Sequence, residues 1–144
     1  MINKTSVEYD GVIRVCRELF LKKSTDYGTA WRILRISSIT DQIFIKAQRI
    51  RTLEEKKISK VGENITSEYI GIVNYCIIAM MQIDLEDDDR TELPVDEVEM
   101  YFDKKVNETK EALQLLDVRR RRAVLDSGDV FGERGDAGLV HHVA

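Results

Sequence analysis

The sequence predicts an all-α protein, a bundle of about four helices followed by a disordered C-terminal tail. Apolar side chains recur at three- and four-residue steps through most of the chain, which is the period of helices with one buried face. Pro94 is the only proline, so little interrupts these segments. The stretch 127–144 has scattered glycines and no sustained period, which is typical of a disordered segment.

Composition and charge exclude several classes of function. The formal net charge of −4 argues against a general nucleic-acid binder, which needs a basic surface to replace counterions. The N-terminus lacks the apolar core of a signal peptide, and the apolar run at 70–81 is too short to span a bilayer. Cys16 and Cys76 lie in apolar helical patterns, so we expect buried thiols in a reducing compartment. We therefore expect a cytoplasmic protein with no membrane or nucleic-acid partner.

The first predicted helix runs from about Val7 to Lys23. Thr5 and Glu8 have the spacing of a capping box, in which two side chains satisfy free backbone donors at a helix start. One apolar stripe follows at helical spacing. Its members are Tyr9, Val12, Ile13, Cys16, Leu19 and Phe20.

A loop over 24–36 is expected next, with one turn of helix around 30–34. It contains the only tryptophan, Trp31, beside Arg32, and it follows a turn-forming Asp-Tyr-Gly at 26–28. An aromatic ring and a guanidinium fork are suited to stacking on a base and holding a phosphate. Alternatively, Trp31 fills the core beneath the loop.

Two further helices flank a polar break. The second helix should begin near Ser38, where Ser38 and Asp41 repeat the capping-box spacing, and continue to about Lys57. The break covers 56–66 and contains glycine and asparagine. The third helix should span 67–85 and, being apolar around most of its circumference, should lie centrally in the bundle.

An acidic segment and a fourth helix complete the pattern. The segment 84–92 is expected to be a solvated linker, with metal binding as the alternative. The fourth helix should start after Pro94, a favourable residue for a first helical turn. The arginine run at 119–122 is then the solvated C-terminal end of this helix.

The fourth helix resembles the first. When the two are aligned, Asp10 matches Asp103 and Arg17 matches Lys110. Either two amphipathic helices are alike by chance, or the fourth helix begins a second copy of the same unit. The second interpretation gives a domain over 1–92, the start of a truncated second copy over 93–126, and a tail over 127–144 that is unrelated sequence, for example after a frameshift.

Two cations on the second helix raise a question about charge. On a helical wheel Lys46 projects into the apolar arc, and Arg49 lies just beside that arc. A buried ammonium group is costly unless it is paired. Lys46 must therefore extend to solvent, meet a carboxylate, or meet an anionic ligand.

Polar or small residues gather on one strip of the otherwise apolar third helix. They are Glu68, Gly71, Asn74, Tyr75 and Gln82. A glycine inside a helix costs about 1 kcal/mol relative to alanine. Gly71 is explained either by a tight helix crossing or by close approach of a ligand.

Together these strips predict a small polar site inside the bundle. Lys46 and Arg49 would form one wall, and Glu68 and Asn74 the other. The loop residues would close the mouth of this site. Those residues are Asp26, Tyr27, Trp31 and Arg32.

Two segments carry a family resemblance. DYGTAWRILRISSITDQIFIKAQRIRTLEE, from Asp26, and SEYIGIVNYCIIAMMQIDLE, from Ser67, resemble the nucleotide modification associated domain 1 family. That family is placed near the MazG-like all-α NTP pyrophosphohydrolases. The resemblance implies a MazG-like helical bundle that forms a homodimer or higher homo-oligomer, with a nucleotide as ligand.

The resemblance also implies a metal chemistry that this sequence does not fully carry. MazG-like enzymes hold Mg²⁺ with E-x-x-E on one helix and E-x-x-D on the next. Glu68 matches the start of the second motif, but Gly71 stands at the place of its aspartate, and Lys46 and Arg49 stand where the first motif would be. Glu68 is therefore the single metal ligand that the resemblance implies, and the cations favour direct binding of phosphate.

Two functions follow as expectations. The first is a nucleotide-binding domain associated with nucleotide modification, acting on nucleoside triphosphates as a MazG-type pyrophosphohydrolase does and using Mg²⁺. The second is a non-catalytic helical module for interaction or oligomerisation, in which the polar strips satisfy one another. The residues alone do not assign a catalytic group.

Overall fold

The protein is all-α, as the sequence predicts. The computed structural model describes residues 3–56 and 61–127, with the backbone alone for 61–64. Four α-helices and one 3₁₀ turn make up this part of the chain, which contains no strand. They are α1 (Lys4–Tyr27), the 3₁₀ turn (Ala30–Ile33), α2 (Ile36–Lys56), α3 (Val61–Asp84) and α4 (Val95–Asp126).

Helix α1 is longer than predicted at both ends. Its N-cap is Asn3, whose side chain accepts a hydrogen bond from the Thr5 N–H at 3.1 Å, so the prediction of Thr5 as the capping residue is wrong. At the other end the helix continues to Tyr27, although 24–27 was predicted as loop. It stops at Gly28, which has φ 63° and donates its N–H to the Ser24 carbonyl.

The remaining boundaries differ by smaller shifts, except at the start of α3. The predicted turn after residue 30 is confirmed, and α2 begins two residues before Ser38. Helix α3 begins at Val61, although the polar stretch to residue 66 was predicted as a break. Its glycine and asparagine lower helix propensity without preventing a helix. Residues 57–60 of the predicted break lie outside the described part of the chain.

A single apolar core holds the first of two compact units, Met1–Glu111. Helix α3 packs against both α1 and α2, in keeping with the central position predicted for it. The ring of Phe20 on α1 stacks on Phe102 of α4 with 4.7 Å between centroids, and Trp31 lies 6.5 Å from Phe20. Burial of these large rings is the main favourable term in holding the helices together.

Polar contacts between α1 and α4 are reciprocal. Arg17 of α1 donates two hydrogen bonds to Asp103 of α4, at 2.8 and 3.0 Å. In return, Lys110 of α4 donates to Asp10 of α1 at 2.8 Å. The basic residue of each helix therefore pairs with the acidic residue of the other, at the positions that match in the sequence alignment.

The second compact unit is Ala112–Ala144, so its boundary lies inside α4. The structure describes this unit to residue 127, as the end of the helix and a turn, with mostly exposed side chains. Leu125 is 81% exposed. The predicted disorder of 127–144 falls almost wholly on residues outside the described part.

The two cysteines differ in environment. Cys16 is fully buried, as predicted, whereas Cys76 is exposed, so the prediction for the second thiol is wrong. Helix α3 is apolar on more sides than its neighbours cover, and Cys76 lies on an uncovered side. No helix in the described ranges has both the length and the apolar composition needed to cross a membrane.

Candidate functional site

A cavity of about 420 Å³ lies in the first compact unit. Its walls come from α1, the 3₁₀ turn, α2 and α3, and they combine aromatic rings with a few polar groups. The rings are those of Phe20, Tyr27, Trp31 and Tyr75. A cavity of this size and composition is typical of sites for small organic ligands.

The structure brings together some of the predicted site residues and separates others. Those that line the cavity are Tyr27, Trp31, Lys46 and Asn74. Those that do not line it are Asp26, Arg32, Arg49 and Glu68. The position of Asp26 follows from the extension of α1, which places this residue on an exposed part of the last helical turn.

Lys46 has an internal carboxylate partner, which is one of the alternatives open at the sequence level. Its Nζ lies 3.2 Å from Oε2 of Glu68, and Arg49 Nε lies 3.3 Å from the other carboxylate oxygen. The Glu68 side chain is only 11% exposed, whereas those of Lys46 and Arg49 are 27% and 64% exposed. One buried carboxylate is thus shared by a cation at the cavity wall and a cation near solvent.

Gly71 makes room for the Lys46 side chain. A Cβ at position 71 would lie 2.8 Å from Cε and 3.0 Å from Nζ of Lys46. The close neighbour is therefore a side chain of α2, not the backbone of a crossing helix. The same Nζ lies 6.0 Å from the centroid of the Tyr75 ring, at the outer limit for a cation–π contact.

Trp31 belongs both to the core and to the cavity wall. It is 8% exposed and packs near Phe20, so it fills the core as one sequence-level alternative proposed. Its Nε1–H is buried and has no hydrogen-bond partner among the described residues. A buried N–H without a partner is rare in proteins and calls for an explanation.

Asn74 presents a complementary unpartnered atom. Its Nδ2 donates to the Cys16 carbonyl at 3.1 Å, which fixes the orientation of the amide because a flip would place two oxygens together. Its Oδ1 is buried and accepts no hydrogen bond within the described ranges. The cavity wall therefore contains one free donor and one free acceptor.

Arg32 secures a loop and does not line the cavity. Its guanidinium donates to Gln82 Oε1, to the Asp88 carbonyl and to the Arg90 carbonyl. Gln82 in turn donates through Nε2 to the carbonyls of Trp31, Arg32 and Leu34, at 2.9 to 3.1 Å. This network attaches the 3₁₀ turn to the end of α3 and holds Trp31 in place. Sequence reasoning placed Gln82 on the polar strip without a role.

Lys23 was missed as a site residue. It lines the cavity together with Tyr27, one helical turn further along α1. At the sequence level its charge was explained by the helix dipole, because the helix was expected to end there. Had the end of α1 been placed at Gly28, the four-residue spacing of Lys23 and Tyr27 would have put both on one face.

The residues around Glu68 do not fit a metal site of the MazG type. Both Glu68 oxygens lie against cations, at 3.2 and 3.3 Å. Within residues 3–56 and 61–127, no three His, Cys, Asp or Glu side chains are grouped as a metal ion would require. Mg²⁺ at Glu68 stays a prediction, and no reaction step below depends on it.

Comparison with known proteins identifies one family. No curated protein and no solved structure matches the chain significantly. The family resemblance seen in the sequence is confirmed over a central segment that is less than half of the chain and holds the 3₁₀ turn, α2 and nearly all of α3. This segment, residues 23–83, matches the family model of nucleotide modification associated domain 1.

Proposed function

We propose that this protein binds a nucleotide in the cavity lined by Trp31, Lys46 and Asn74. The observation that carries the proposal is the placement of a lysine ammonium at the wall of an aromatic cavity of about 420 Å³. Nucleotides combine a flat apolar base with an anionic phosphate, so they need such a combination of groups. The match of residues 23–83 to a nucleotide modification associated domain supports the same ligand class.

Lys46 is the group proposed to contact phosphate. Its ammonium has three donors and lies beside a single carboxylate oxygen, at 3.2 Å. Lys23, exposed on α1, supplies a second positive charge at the cavity wall. An ammonium group is a flexible point charge and can turn toward an incoming phosphate without rebuilding the helix that holds it.

Arg49 makes the transfer of Lys46 inexpensive. A buried carboxylate that loses its only cation is left uncompensated, and this costs several kcal/mol. Glu68 would not be left alone, because Arg49 contacts its other oxygen at 3.3 Å. Lys46 can therefore exchange Glu68 for a phosphate while the carboxylate keeps a partner. In this proposal Arg49 supports binding without contacting the ligand.

A thermal-shift panel tests the proposal. Nucleoside mono-, di- and triphosphates of each base are added at millimolar concentration to the full chain, with and without Mg²⁺. A ligand at ten times its Kd should raise the melting temperature by about 3 °C or more, because it stabilises only the folded state. No shift with any nucleotide would refute the proposal.

Variants of the two cations sharpen this test. Lys46→Met should weaken nucleotide binding by about tenfold or more, since it removes a charge-assisted contact. Lys22→Met is the control, because Lys22 has the same charge but does not line the cavity. Arg49→Gln should weaken binding by a smaller factor, because Lys46 would then be held more firmly by Glu68. Equal affinity for Lys46→Met and Lys22→Met would remove Lys46 from the site.

Hydrolysis is the catalytic form of the same proposal. Pyrophosphate release from a panel of deoxynucleoside triphosphates with Mg²⁺ or Mn²⁺ would indicate chemistry of the MazG type. Loss of that release in Glu68→Gln would make Glu68 a metal ligand, against the ion pairs described above. Binding without turnover would instead support a nucleotide-binding module.

Self-association is a second candidate function, favoured by exposed apolar residues on α3. Tyr69, Cys76 and Ile83 recur at seven-residue steps, so they lie on one side of the helix, and all three are exposed. Heptad-spaced apolar residues are the pattern by which identical helices pair. We propose a second copy of this chain as the partner. Sedimentation analysis at micromolar concentration should show a dimer that Ile83→Lys disrupts, and a wild-type monomer would refute it.

We also infer that α4 begins a second copy of the unit that α1 begins. The aligned residues form reciprocal pairs, Arg17 with Asp103 and Lys110 with Asp10. Such reciprocity is expected of two equivalent elements related by a twofold axis. The relationship predicts equal coupling in the two pairs, which is tested below.

A further inference from the structure

The free donor on Trp31 and the free acceptor on Asn74 require a common explanation. Each residue is only 8% exposed, and each atom is buried without a hydrogen-bond partner in the described part of the chain. An unmade hydrogen bond of this kind costs about 1–3 kcal/mol. Two such atoms on the wall of one cavity indicate that the cavity holds a group that satisfies both.

Phosphate does not fit these two atoms. It offers only acceptor oxygens and negative charge, so it would satisfy the indole N–H but repel the Asn74 carbonyl oxygen. The edge of every nucleobase, in contrast, carries an N–H donor next to an acceptor nitrogen or oxygen. Of the parts of a nucleotide, the base is therefore the better match for this wall.

The charged groups are better exposed than the two unpartnered atoms. The Lys46 side chain is 27% exposed, and Lys23 is an exposed residue. Tyr27, which also lines the cavity, is 76% exposed and offers a ring face. Since a phosphate keeps most of its hydration while a base does not, the two ends of a nucleotide match the two environments.

We propose that the cavity binds its nucleotide with the base inward, read by the Trp31 N–H and the Asn74 carbonyl oxygen, and the phosphate outward at Lys46. This inference rests on the proposed function and adds an orientation and a role for each wall. The base is recognised as a neutral group that both donates and accepts, whatever its identity. A nucleoside without phosphate should consequently bind, and a polyphosphate without a base should not use Trp31 or Asn74.

The experiment compares three probes by calorimetry on the full chain. They are the common deoxynucleosides, their 5′-monophosphates and inorganic tripolyphosphate. Trp31→Phe removes the N–H donor and keeps an apolar ring, and it should weaken nucleoside and monophosphate binding by about three- to tenfold. Tripolyphosphate binding should stay unchanged. Asn74→Leu removes the acceptor and should act in the same way.

A matched control separates the hydrogen bond from ring packing. Phe20→Leu alters the same wall and removes no polar atom. It should weaken base-containing probes without affecting tripolyphosphate, but its free form should lose more stability than that of Trp31→Phe. The reason is that Trp31→Phe also removes an unpartnered buried donor, which offsets part of the lost packing.

The outcomes distinguish this inference from the proposed function. Monophosphate binding that needs Lys46 but is unchanged in both Trp31→Phe and Asn74→Leu would overturn the base-inward orientation alone. Equal losses of tripolyphosphate and nucleoside affinity in either variant would also overturn it. Failure of every monophosphate to bind the wild-type protein would remove both proposals together.

Discussion

At the scale of single residues, Gly71 and Lys46 act as a pair. The missing Cβ at position 71 allows the lysine side chain to lie against α3, where its ammonium reaches Glu68. The sequence indicated that both residues were unusual, since one is a glycine inside a helix and the other a cation on an apolar arc. It did not show that each explains the other, because that depends on how α2 and α3 are placed.

Substitution of Gly71 by alanine tests this pairing. Alanine favours a helix over glycine by about 1 kcal/mol, but the new Cβ would lie 2.8 Å from Lys46 Cε and displace that side chain. The net gain in the free energy of unfolding should therefore be smaller than the helix propensity alone, and nucleotide affinity should fall. Urea denaturation and calorimetry measure the two effects.

Gly11→Ala is the matched control for that substitution. Gly11 also lies inside a helix, and no described atom would lie within 4 Å of its Cβ. This variant should gain about 0.5–1 kcal/mol of stability and keep the wild-type affinity. If the two variants gained equally, Lys46 would not be constrained by Gly71.

At the scale of elements, the number and type of the helices were predictable, but several ends were not. Repeating apolar residues specify a helix interior, whereas an end depends on which neighbouring residue can satisfy the free backbone groups. Asn3 performs that role in place of Thr5, and Gly28 ends α1 four residues beyond the predicted terminus. The shift at Gly28 moved Lys23 and Tyr27 onto the cavity wall and left Asp26 outside it.

The reciprocal ion pairs between α1 and α4 should have similar coupling energies. Double-mutant cycles on Arg17 with Asp103 and on Lys110 with Asp10 should each give about 0.5–1 kcal/mol, since all four side chains are partly exposed. Arg17→Met and Asp103→Asn, then Lys110→Met and Asp10→Asn, complete the cycles. Coupling in one pair only would weaken the inference of a duplicated unit.

Asp88 gives the loop between α3 and α4 a dependence on pH. Hydrogen bonds from Arg90 lower the pKa of Asp88 from its ordinary 3.8 to about 2. A lowered carboxyl pKa stabilises the folded state above pH 3.8, and this contribution is lost as the pH falls toward 2. The wild type should therefore be slightly more stable than Asp88→Asn at neutral pH, and the difference should vanish near pH 2.

The comparison of Asp88→Asn with the wild type is best made by thermal denaturation at several pH values. The carboxylate is exposed, so the difference should be small at every pH. A direct check is the NMR titration of the Asp88 side chain in the folded protein. A midpoint close to 4 would show that Arg90 does not hold the carboxylate in solution.

At the scale of the whole molecule, the chain combines one apolar core with a helix that outlasts it. The core was predictable, because Ile13, Phe20, Phe102 and similar residues repeat at helical steps. The division of α4 was not, because its apolar residues continue beyond Glu111 although the described side chains there are largely exposed. Periodicity shows that a face is apolar and does not show what covers it.

Hydrogen exchange should reveal this division directly. Amides of α4 up to Glu111 belong to the unit with the core and should be well protected. Amides from 112 to 126 lie in a helix with few buried side chains, so they should exchange faster by local opening. Uniform protection along all of α4 would contradict the division.

The hydrogen bonds of Gln82 have a consequence for signalling within the molecule. One amide group binds three carbonyls around Trp31, and Arg32 extends the contact to the carbonyls of Asp88 and Arg90. An indole that shifts to accommodate a guest must pull on this network. Occupancy of the interior should thus be communicated to the surface segment after α3, where a neighbouring molecule could sense it.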